Sequence, residues 1–421
     1  MGNVVFWGMI VYVLLFSMES VVRFLLNKVS LEWTIYFRDL FLLAIVGLGL
    51  LVRSPGTRIR SLVLISLFVL IWGTVWGLLT LGNVTQVAFG LKVYLPYLAG
   101  IVIAPVFFRQ RAKTLRAFVA IFLITAFGVL LTAVVDVPWT GLEYNLGSYT
   151  IEGQRDWTIE GIQRLSGFSR ASYDASIQLV TCAIVVGTFS RSAWLAWGSW
   201  LLCAPCLYLT TSRSPMIAYL CITVFRLWML MPAKANWFVK RLALILPLLV
   251  IILPLLKEIP GLADSAFLES GGVARLDSLA TRVDQMWPDA FKMLRTGTAN
   301  WFGLGIGGIG AGQALVNPDD YNTADNLFVY LWVSFGALSV FIIGALAIGM
   351  QRLKLNEASD LCAFEMAIAY FAIGTLSNGM ENISSALFLG IFVHQMAMRN
   401  RPLEPRPAMS PIHTIEHGVP S

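Results

Sequence analysis

Three charged side chains at the edges of long apolar runs are the residues of this chain best suited to chemistry. Arg213 lies in LTTSRSP between two apolar runs, Arg282 lies in an amphipathic stretch, and Asp325 stands at the start of another apolar run. A guanidinium group is permanently ionised and forks onto oxyanions, and a partly shielded carboxylate can accept a proton. Arg213 sits in a turn with almost no loop, followed by Pro215, which directs it at the mouth of a helix bundle. The alternative is that it extends to lipid headgroups.

Other arginines occur in two polar segments. Arg164 and Arg170 flank a Gly-Phe-Ser turn in QRLSGFSRASYD, after a stretch whose aromatic residues are either membrane-interface anchors or platforms for sugar rings. Arg275 and Arg282 are seven positions apart in ARLDSLATRVDQMWPDAFKML, where apolar residues recur at three- and four-residue spacing and predict an amphipathic helix. These two guanidinium groups either contact lipid headgroups or overlook a cavity. Pro288 predicts a kink or a break in this helix.

The segment NWFGLGIGGIGAGQ, residues 300–313, is rich in glycine. Its GxGxxG spacing follows no strand and belongs to no βαβ unit, so we do not interpret it as a dinucleotide site. Dense glycines let the backbone pass close to a ligand or to another helix. Asp325, shortly afterwards, is a general base, the N-cap of the next helix, or both. No two acidic residues lie at i and i+2, and all three histidines follow residue 390, so we expect no metal and no cofactor.

The elements that must position these side chains are membrane helices. The 421 residues are 57% hydrophobic and only 13% charged, with a mean hydropathy of +0.74, whereas soluble domains carry about 25% charged residues. We therefore expect an all-α polytopic membrane protein with about twelve transmembrane helices and a single transmembrane domain over residues 1–421. The candidate spans lie near residues 4–18, 34–52, 61–82, 87–107, 116–135, 174–189, 192–211, 214–231, 241–256, 324–350, 360–376 and 380–398.

Basic residues set the expected orientation. Clusters of arginine and lysine fall in alternate short connectors and in the tail, so these parts and both termini are expected on the cytoplasmic side. The same assignment puts two long polar segments, 136–173 and 257–323, on the outer face and leaves 399–421 as a cytoplasmic tail. Long segments concentrated on one face indicate that the chemistry takes place there. The net charge of +6 serves orientation, and we expect no nucleic-acid partner.

Together these features resemble the O-antigen ligase and Wzy-type polysaccharide polymerase superfamily of bacterial inner membranes. An architecture of about twelve spans with large outer segments is similar over most of the chain. At residue level the similarity depends on the order of five short motifs: R-x-S-G-F at 164–168, S-R-S at 212–214, R-x-x-x-x-W at 282–287, F-G-L-G-I-G at 302–307 and D-N-x-x-x-x-L at 325–331.

The resemblance implies a metal-independent, GT-C-like glycosyltransferase that uses a glycan linked to undecaprenyl diphosphate on the periplasmic face. Family arginines hold the diphosphate, and matching them nominates Arg213 and Arg282 as catalytic residues, with Arg164 in support as a substrate-binding residue. Ligases of the family carry a histidine directly before the Asn of the last motif. This chain has Asp325 there, which favours a polymerase with Asp325 as the catalytic base. The other residues nominated for substrate binding are Arg170, Arg275, Trp287 and Asn326.

The sequence thus predicts a polymerase of O-antigen or exopolysaccharide repeat units in the bacterial inner membrane. Its expected partners are undecaprenyl-diphosphate-linked oligosaccharide and the lipid bilayer, with a chain-length regulator as a further candidate. The nearest alternative is an O-antigen ligase that transfers the lipid-linked glycan to lipid A-core. The other alternative is a transporter or flippase of lipid-linked oligosaccharide. Such proteins usually carry charges near the bilayer midplane, where this chain has chiefly Lys92 and Glu365.

Overall fold

Most of the first 132 residues form helices that are apolar on nearly every side, as expected of helices packed in a core or in lipid. The computed structural model describes residues 2–52, 57–146, 149–159, 161–230, 236–258, 277–294 and 298–399. The first helices are α1 (Gly2–Ser17), α2 (Glu19–Lys28), a 3₁₀ turn (Glu32–Tyr36), α3 (Phe37–Val52), α4 (Thr57–Leu81), α5 (Val84–Lys92), α6 (Leu95–Arg109) and α7 (Arg111–Thr132).

Two small β-hairpins follow α7 and are the exception to an otherwise helical fold. In the first, β1 (Glu143–Leu146) pairs antiparallel with β2 (Tyr149–Glu152). In the second, β3 (Thr158–Ile159) pairs antiparallel with β4 (Ile162–Gln163). The second hairpin ends directly before Arg164, so this folded connector positions the first arginine motif.

The rest of the described chain is again helical, with shorter pieces around the glycine-rich segment. The helices are α8 (Ser172–Phe189), α9 (Ala193–Thr210), α10 (Arg213–Met229), α11 (Asn236–Leu242), α12 (Ile245–Ile252), a 3₁₀ turn (Leu253–Glu258), α13 (Asp277–Thr281), α14 (Trp287–Lys292), α15 (Ala299–Phe302), α16 (Ala311–Val316), a 3₁₀ turn (Pro318–Asp320), α17 (Leu327–Phe335), α18 (Leu338–Arg352), α19 (Ala358–Gly374) and α20 (Ile383–Arg399).

Each of the twelve predicted spans overlaps one or more of these helices, and the chain is an all-α polytopic membrane protein. Seven helical segments of the described residues have the length and apolar composition needed to cross a bilayer, and an eighth is formed if α1 and α2, which are bent by 78°, count as one span. Helices α10, α19 and α20 have 17 residues each and α18 has 15, just short of a full crossing. The number twelve therefore stays a prediction.

The glycine-rich segment passes between α4 and α5. The amide of Ile306 donates to the carbonyl of Gly73 at 2.9 Å, and the side chain of Gln86 donates to the carbonyl of Gly307 at 2.8 Å. Gly305 has a φ of +84°, and a Cβ at this residue would collide with the backbone of Gly77. Of the two reasons considered for the glycines, close approach to another helix is the one that the fold displays.

The two charges expected near the middle of the bundle both have partners. Glu365 on α19 accepts hydrogen bonds from Arg226 on α10, at 2.9 Å from Nε to Oε1 and 2.6 Å from Nη2 to Oε2. The guanidinium carbon of Arg226 also lies 4.1 Å from the ring centroid of Trp200. Lys92 lies 2.7 Å from a carboxylate oxygen of Asp39. These charges join helices to one another, which is a structural role.

Candidate active site

Arg282 and Asp325 form an ion pair. A single carboxylate oxygen of Asp325, Oδ2, accepts hydrogen bonds from Nε of Arg282 at 3.0 Å and from Nη2 at 2.8 Å. The exposed fractions of the two side chains are 22% and 27%, so the pair borders open space. Because both donors reach the same oxygen, Oδ1 of Asp325 takes no part in this pair.

The helix that carries Arg282 is irregular at that residue. Helix α13 passes into a π-helical turn, Arg282–Met286, which runs directly into α14. Pro288 has no amide hydrogen and cannot continue a regular helical pattern, and single π turns inside helices occur frequently at functional sites. The interruption expected from Pro288 therefore takes the form of a π turn just before it. The carbonyl of Met286, which ends this turn, accepts a hydrogen bond from the Asn322 side chain at 2.7 Å.

The loop before α17 holds Asp325 in a strained conformation. Ala324 and Asp325 have positive φ values of 63° and 25°, a region that L-residues rarely adopt and that clusters at functional sites. Hydrogen bonds fix the loop from both sides: the Ala324 amide donates to Oδ1 of Asn322 at 2.8 Å, and the Asn378 side chain donates to the carbonyl of Thr323 at 3.1 Å. These hydrogen bonds thus hold the backbone that carries the Asp325 carboxylate in place.

Asn326, and not Asp325, is the N-cap of α17. Its Oδ1 accepts a hydrogen bond from the amide of Val329 at 3.1 Å, and its Nδ2 donates to the carbonyls of Val250 and Thr375, both at 3.1 Å. Asn326 is fully buried. The cap interpretation of Asp325 is therefore wrong, and the amide of Asn326, nominated for substrate binding, is occupied by three contacts within the protein.

Arg213 is the first residue of α10. Thr211, with a φ of 50°, reverses the chain at the end of α9, and Ser212 then starts the next helix without forming a side-chain cap. The first amides of a helix are unpaired and carry a partial positive charge. The half-buried guanidinium group of Arg213 therefore adds a full positive charge where anions are already favoured.

Arg164 follows the second hairpin and is fixed beside the end of α9. Its own amide donates to the carbonyl of Trp157 at 2.9 Å, and the next amide, of Leu165, donates to the carbonyl of Leu209 at 3.3 Å. Burial lowers the pKa of Arg164, and the positive charges of Arg213 and Arg282 lower that pKa further.

The structure thus brings together three arginines from three distant parts of the chain. We call Arg164, Arg213 and Arg282 the arginine cluster. Like charges disfavour one another's ionised form, and after burial the charges of Arg213 and Arg282 are the further causes of the lowered pKa of Arg164. Asp325 is paired with one of the three, and guanidinium groups are suited to an oxyanion with more than one charge.

The other nominated residues lie elsewhere. Trp287 is fully buried, so its indole packs in the core and does not face an open space. Arg170 borders a separate cavity, and its Nε donates to the carbonyl of Glu152 at 3.2 Å. Arg275 lies outside the described residues.

That separate cavity was not expected from the sequence. It has a volume of about 550 Å³ and lies among the ends of α1, α2, α5 and α8, the first hairpin and α16. We call it the charged cavity, because eleven ionisable acidic or basic side chains line it. Its carboxylates are Glu19, Asp39, Glu143, Glu152, Asp174 and Glu381. Its basic side chains are Arg23, Arg38, Lys92, Arg155 and Arg170.

Glu381, between α19 and α20, lines the charged cavity, and its amide donates at 3.1 Å to Asn378, which also ties down the Asp325 loop. Its Oε1 accepts a hydrogen bond from the amide of Ala311 at 2.5 Å. The preceding Gly310 has a φ of +76°, and a Cβ there would collide with this same oxygen. Burial raises the pKa of Glu381, the Ala311 amide opposes this rise, and the negative charge of Asp325 adds to it. Gly310 of the glycine-rich segment therefore serves to seat this carboxylate.

The fold and these contacts define a class: a polytopic membrane protein with a guanidinium cluster and a carboxylate at the ends of its helices, suited to an anionic substrate. Residues 198–344 match the Wzy_C family model, which is described as O-antigen ligase. This match confirms the resemblance to the O-antigen ligase and Wzy-type polymerase superfamily, and it includes Arg213, Arg282 and Asp325. No curated protein matches the chain.

Proposed function

We propose that this chain is a Wzy-type polysaccharide polymerase, a glycosyltransferase that joins undecaprenyl-diphosphate-linked oligosaccharide repeat units. The observation that carries the proposal is the arginine cluster beside the Asp325 carboxylate. The family match, which includes two of the three arginines, supports a lipid-linked glycan as the substrate.

The arginines act on the leaving group. The acceptor hydroxyl oxygen attacks the anomeric carbon of the donor glycan, the bond from that carbon to the diphosphate oxygen breaks, and undecaprenyl diphosphate departs as an anion. Arg213 and Arg282 bind the diphosphate oxygens, and Arg164 adds a third positive charge. Because guanidinium groups are ionised at every accessible pH, they stabilise the developing charge without a metal ion. One such fixed donor contributes about 10²–10³-fold to kcat.

Asp325 accepts the proton that the acceptor hydroxyl loses. Its Oδ2 faces Arg282, and Oδ1 is directed to the acceptor. General base catalysis by a positioned carboxylate contributes about 10²–10⁴-fold. The ion pair holds the base next to the diphosphate site. Removal of the acceptor proton and departure of the diphosphate are therefore assisted by two groups in direct contact, Asp325 and Arg282.

The proposed setting is the bacterial inner membrane. The chain crosses it about twelve times in a GT-C-like arrangement, with both termini and the 399–421 tail in the cytoplasm. The segments 136–173 and 257–323 then face the periplasm with the active site. The bilayer supplies the lipid-linked substrate, and a chain-length regulator is the proposed protein partner.

An O-antigen ligase is the second candidate, because the matching family carries that description. Asp325 favours the polymerase over the ligase, since it occupies the place where ligases carry histidine. The two functions differ only in the acceptor, which is a second lipid-linked repeat unit for a polymerase and lipid A-core for a ligase.

Purified protein in proteoliposomes tests the proposal. With lipid-linked repeat unit as the sole glycan and a chelator present, we expect a ladder of lengthened products. Arg213→Ala and Arg282→Ala should each lower the initial rate of ladder formation about 10²–10³-fold. Arg116→Ala is the matched control, because Arg116 is an exposed arginine near the start of α7 and should leave the ladder unchanged.

The remaining outcomes separate the alternatives. Product formed only when lipid A-core is supplied would replace polymerase with ligase. Movement of the lipid-linked glycan across the bilayer without any covalent product would indicate a flippase. A ladder of equal yield from wild type and Arg213→Ala would refute the proposed role of the arginine cluster.

A further inference from the structure

The charged cavity has the dimensions and lining of a ligand site. Its volume of about 550 Å³ lies within the usual range for small-molecule pockets, about 300–1,000 Å³. Its walls come from parts of the chain that are far apart in sequence, and its aromatic members include Tyr36 and Tyr321. An empty cavity left by imperfect packing of the core would instead be lined by apolar side chains.

The charges that line the charged cavity make it a poor site for an anion, which is the ligand that suits the arginine cluster. Six carboxylates face five basic side chains, and several of these are already neutralised by one another. Glu19 pairs with Arg23 at 2.5 Å and with Arg38 at 2.6 Å, and Lys92 pairs with Asp39 at 2.7 Å. With its carboxylates and basic side chains nearly equal in number, this environment attracts an anion less than the arginine cluster does.

A mixed array of donors and acceptors matches hydroxyl groups. A hydroxyl donates one hydrogen bond and accepts others, so a ligand with many hydroxyls can bond carboxylates and guanidinium groups at the same time. Asp174 lines the cavity and already accepts one hydrogen bond at Oδ1, from Asn382 at 2.8 Å. The tyrosine rings offer apolar faces between these polar groups.

The charged cavity lies next to the ion pair. Asn378 joins the two: its side chain donates to the carbonyl of Thr323 in the Asp325 loop at 3.1 Å and accepts a hydrogen bond from the amide of Glu381 at 3.1 Å, and Glu381 lines the cavity. A ligand in the cavity would therefore have one end near Asp325 and, through it, near Arg282.

We propose that the charged cavity binds the neutral, hydroxyl-rich saccharide of the acceptor and that Glu381 and Asp174 are its principal hydrogen-bond acceptors. The inference rests on the proposed function, which supplies the acceptor. Together the two sites divide the substrates by charge, with diphosphate at the arginine cluster and uncharged sugar at the charged cavity.

Two probes separate the sites in a binding experiment that needs no turnover. One is inorganic pyrophosphate. The other is the repeat-unit oligosaccharide released from its lipid diphosphate by mild acid, and therefore free of lipid and phosphate. Binding of each to the nanodisc-embedded protein is measured for wild type, Glu381→Gln, Asp174→Asn and Arg213→Ala. Asp289→Asn is the matched control, because Asp289 is an exposed carboxylate that pairs only with nearby Lys292 among the described residues.

We expect Glu381→Gln and Asp174→Asn each to weaken oligosaccharide binding about tenfold or more, since a hydrogen bond to a charged group is lost. Both variants should bind pyrophosphate like wild type, which also demonstrates that they are folded. Arg213→Ala should weaken pyrophosphate binding and leave oligosaccharide binding unchanged. Asp289→Asn should bind both probes like wild type.

Unchanged oligosaccharide affinity in both cavity variants would overturn the inference, and so would loss of that affinity in Arg213→Ala alone. Failure of wild type to bind pyrophosphate would instead count against the proposed function. The two ideas therefore fail in different measurements.

Discussion

Replacement of Asp325 by Asn tests the proposed base most directly. Asn keeps the size of the side chain, and its Oδ1 can still accept the hydrogen bonds that Arg282 donates at 3.0 and 2.8 Å. What disappears is the negative charge and the ability to take a proton. Because both side chains are about a quarter exposed, the lost ion pair should change the free energy of unfolding by only about 0.2–1 kcal/mol.

The expected effect on turnover is much larger. Loss of the base should lower the rate of chain lengthening by about 10²–10⁴-fold, which corresponds to roughly 3–5 kcal/mol of activation barrier. The assay is the initial rate of ladder formation in proteoliposomes, with thermal unfolding measured in parallel. Asp289→Asn removes an exposed carboxylate and should change neither quantity.

A double variant distinguishes a base from a residue that only orients Arg282. If Asp325 acts solely through Arg282, Asp325→Asn should add no further loss in an Arg282→Ala background. If it takes the proton, the second substitution should lower the rate by at least about another tenfold. A rate for Asp325→Asn within about threefold of wild type, at an equal unfolding temperature, would refute the reasoning.

Three further expectations follow from named contacts. Arg164→Ala should weaken the inhibition of ladder formation by pyrophosphate about tenfold, and Arg164→Lys should restore part of this inhibition because the positive charge returns. Unchanged inhibition in Arg164→Ala would show that Arg164 does not act with the arginine cluster. Glu365→Gln should lower the free energy of unfolding by about 3 kcal/mol, since it strands the buried Arg226 charge, and thermal unfolding should show recovery when both positions are Leu. Glu381→Gln should become more stable relative to wild type as pH rises. Burial raises the pKa of Glu381 above an ordinary value of about 4.3, so ionisation costs more in the folded than in the unfolded state, and the contribution of Glu381 to wild-type stability falls from about pH 4 upward. The difference between the unfolding temperatures of Glu381→Gln and wild type should grow as the pH is raised from about 4. A difference that stays constant with pH would contradict the raised pKa of Glu381.

The arginine cluster could be predicted from the sequence because charge is scarce there. When only 13% of residues are charged, an arginine beside an apolar run has few structural reasons to be present. The mutual proximity of Arg164, Arg213 and Arg282 could not be derived in this way. It depends on the hydrogen bond from Leu165 to Leu209 and on the π turn at Arg282, which are tertiary and irregular features.

Glu381 was missed for a different physical reason. A hydropathy pattern tolerates one charge in a long apolar window, so the predicted span 380–398 included this residue. In the structure α20 begins only at Ile383, and Glu381 lies in the connector before it. Glu19 was missed similarly, because only Met18 separates it from α1 and no glycine or proline marks the bend.

The strained loop and the glycine-rich segment then have a common purpose. Ala324 and Asp325 adopt positive φ values that the chain tolerates only because Asn322 and Asn378 tie the loop down. Asn322 also holds the π turn of Arg282, and its carbonyl accepts a hydrogen bond from the amide of Gly310 at 3.1 Å, the residue that seats Glu381. Asn322 thus connects the segments that carry three side chains. These are Arg282, Asp325 and Glu381. A group transfer between two substrates requires that their sites keep a fixed separation, and this shared support is the means by which the fold provides it.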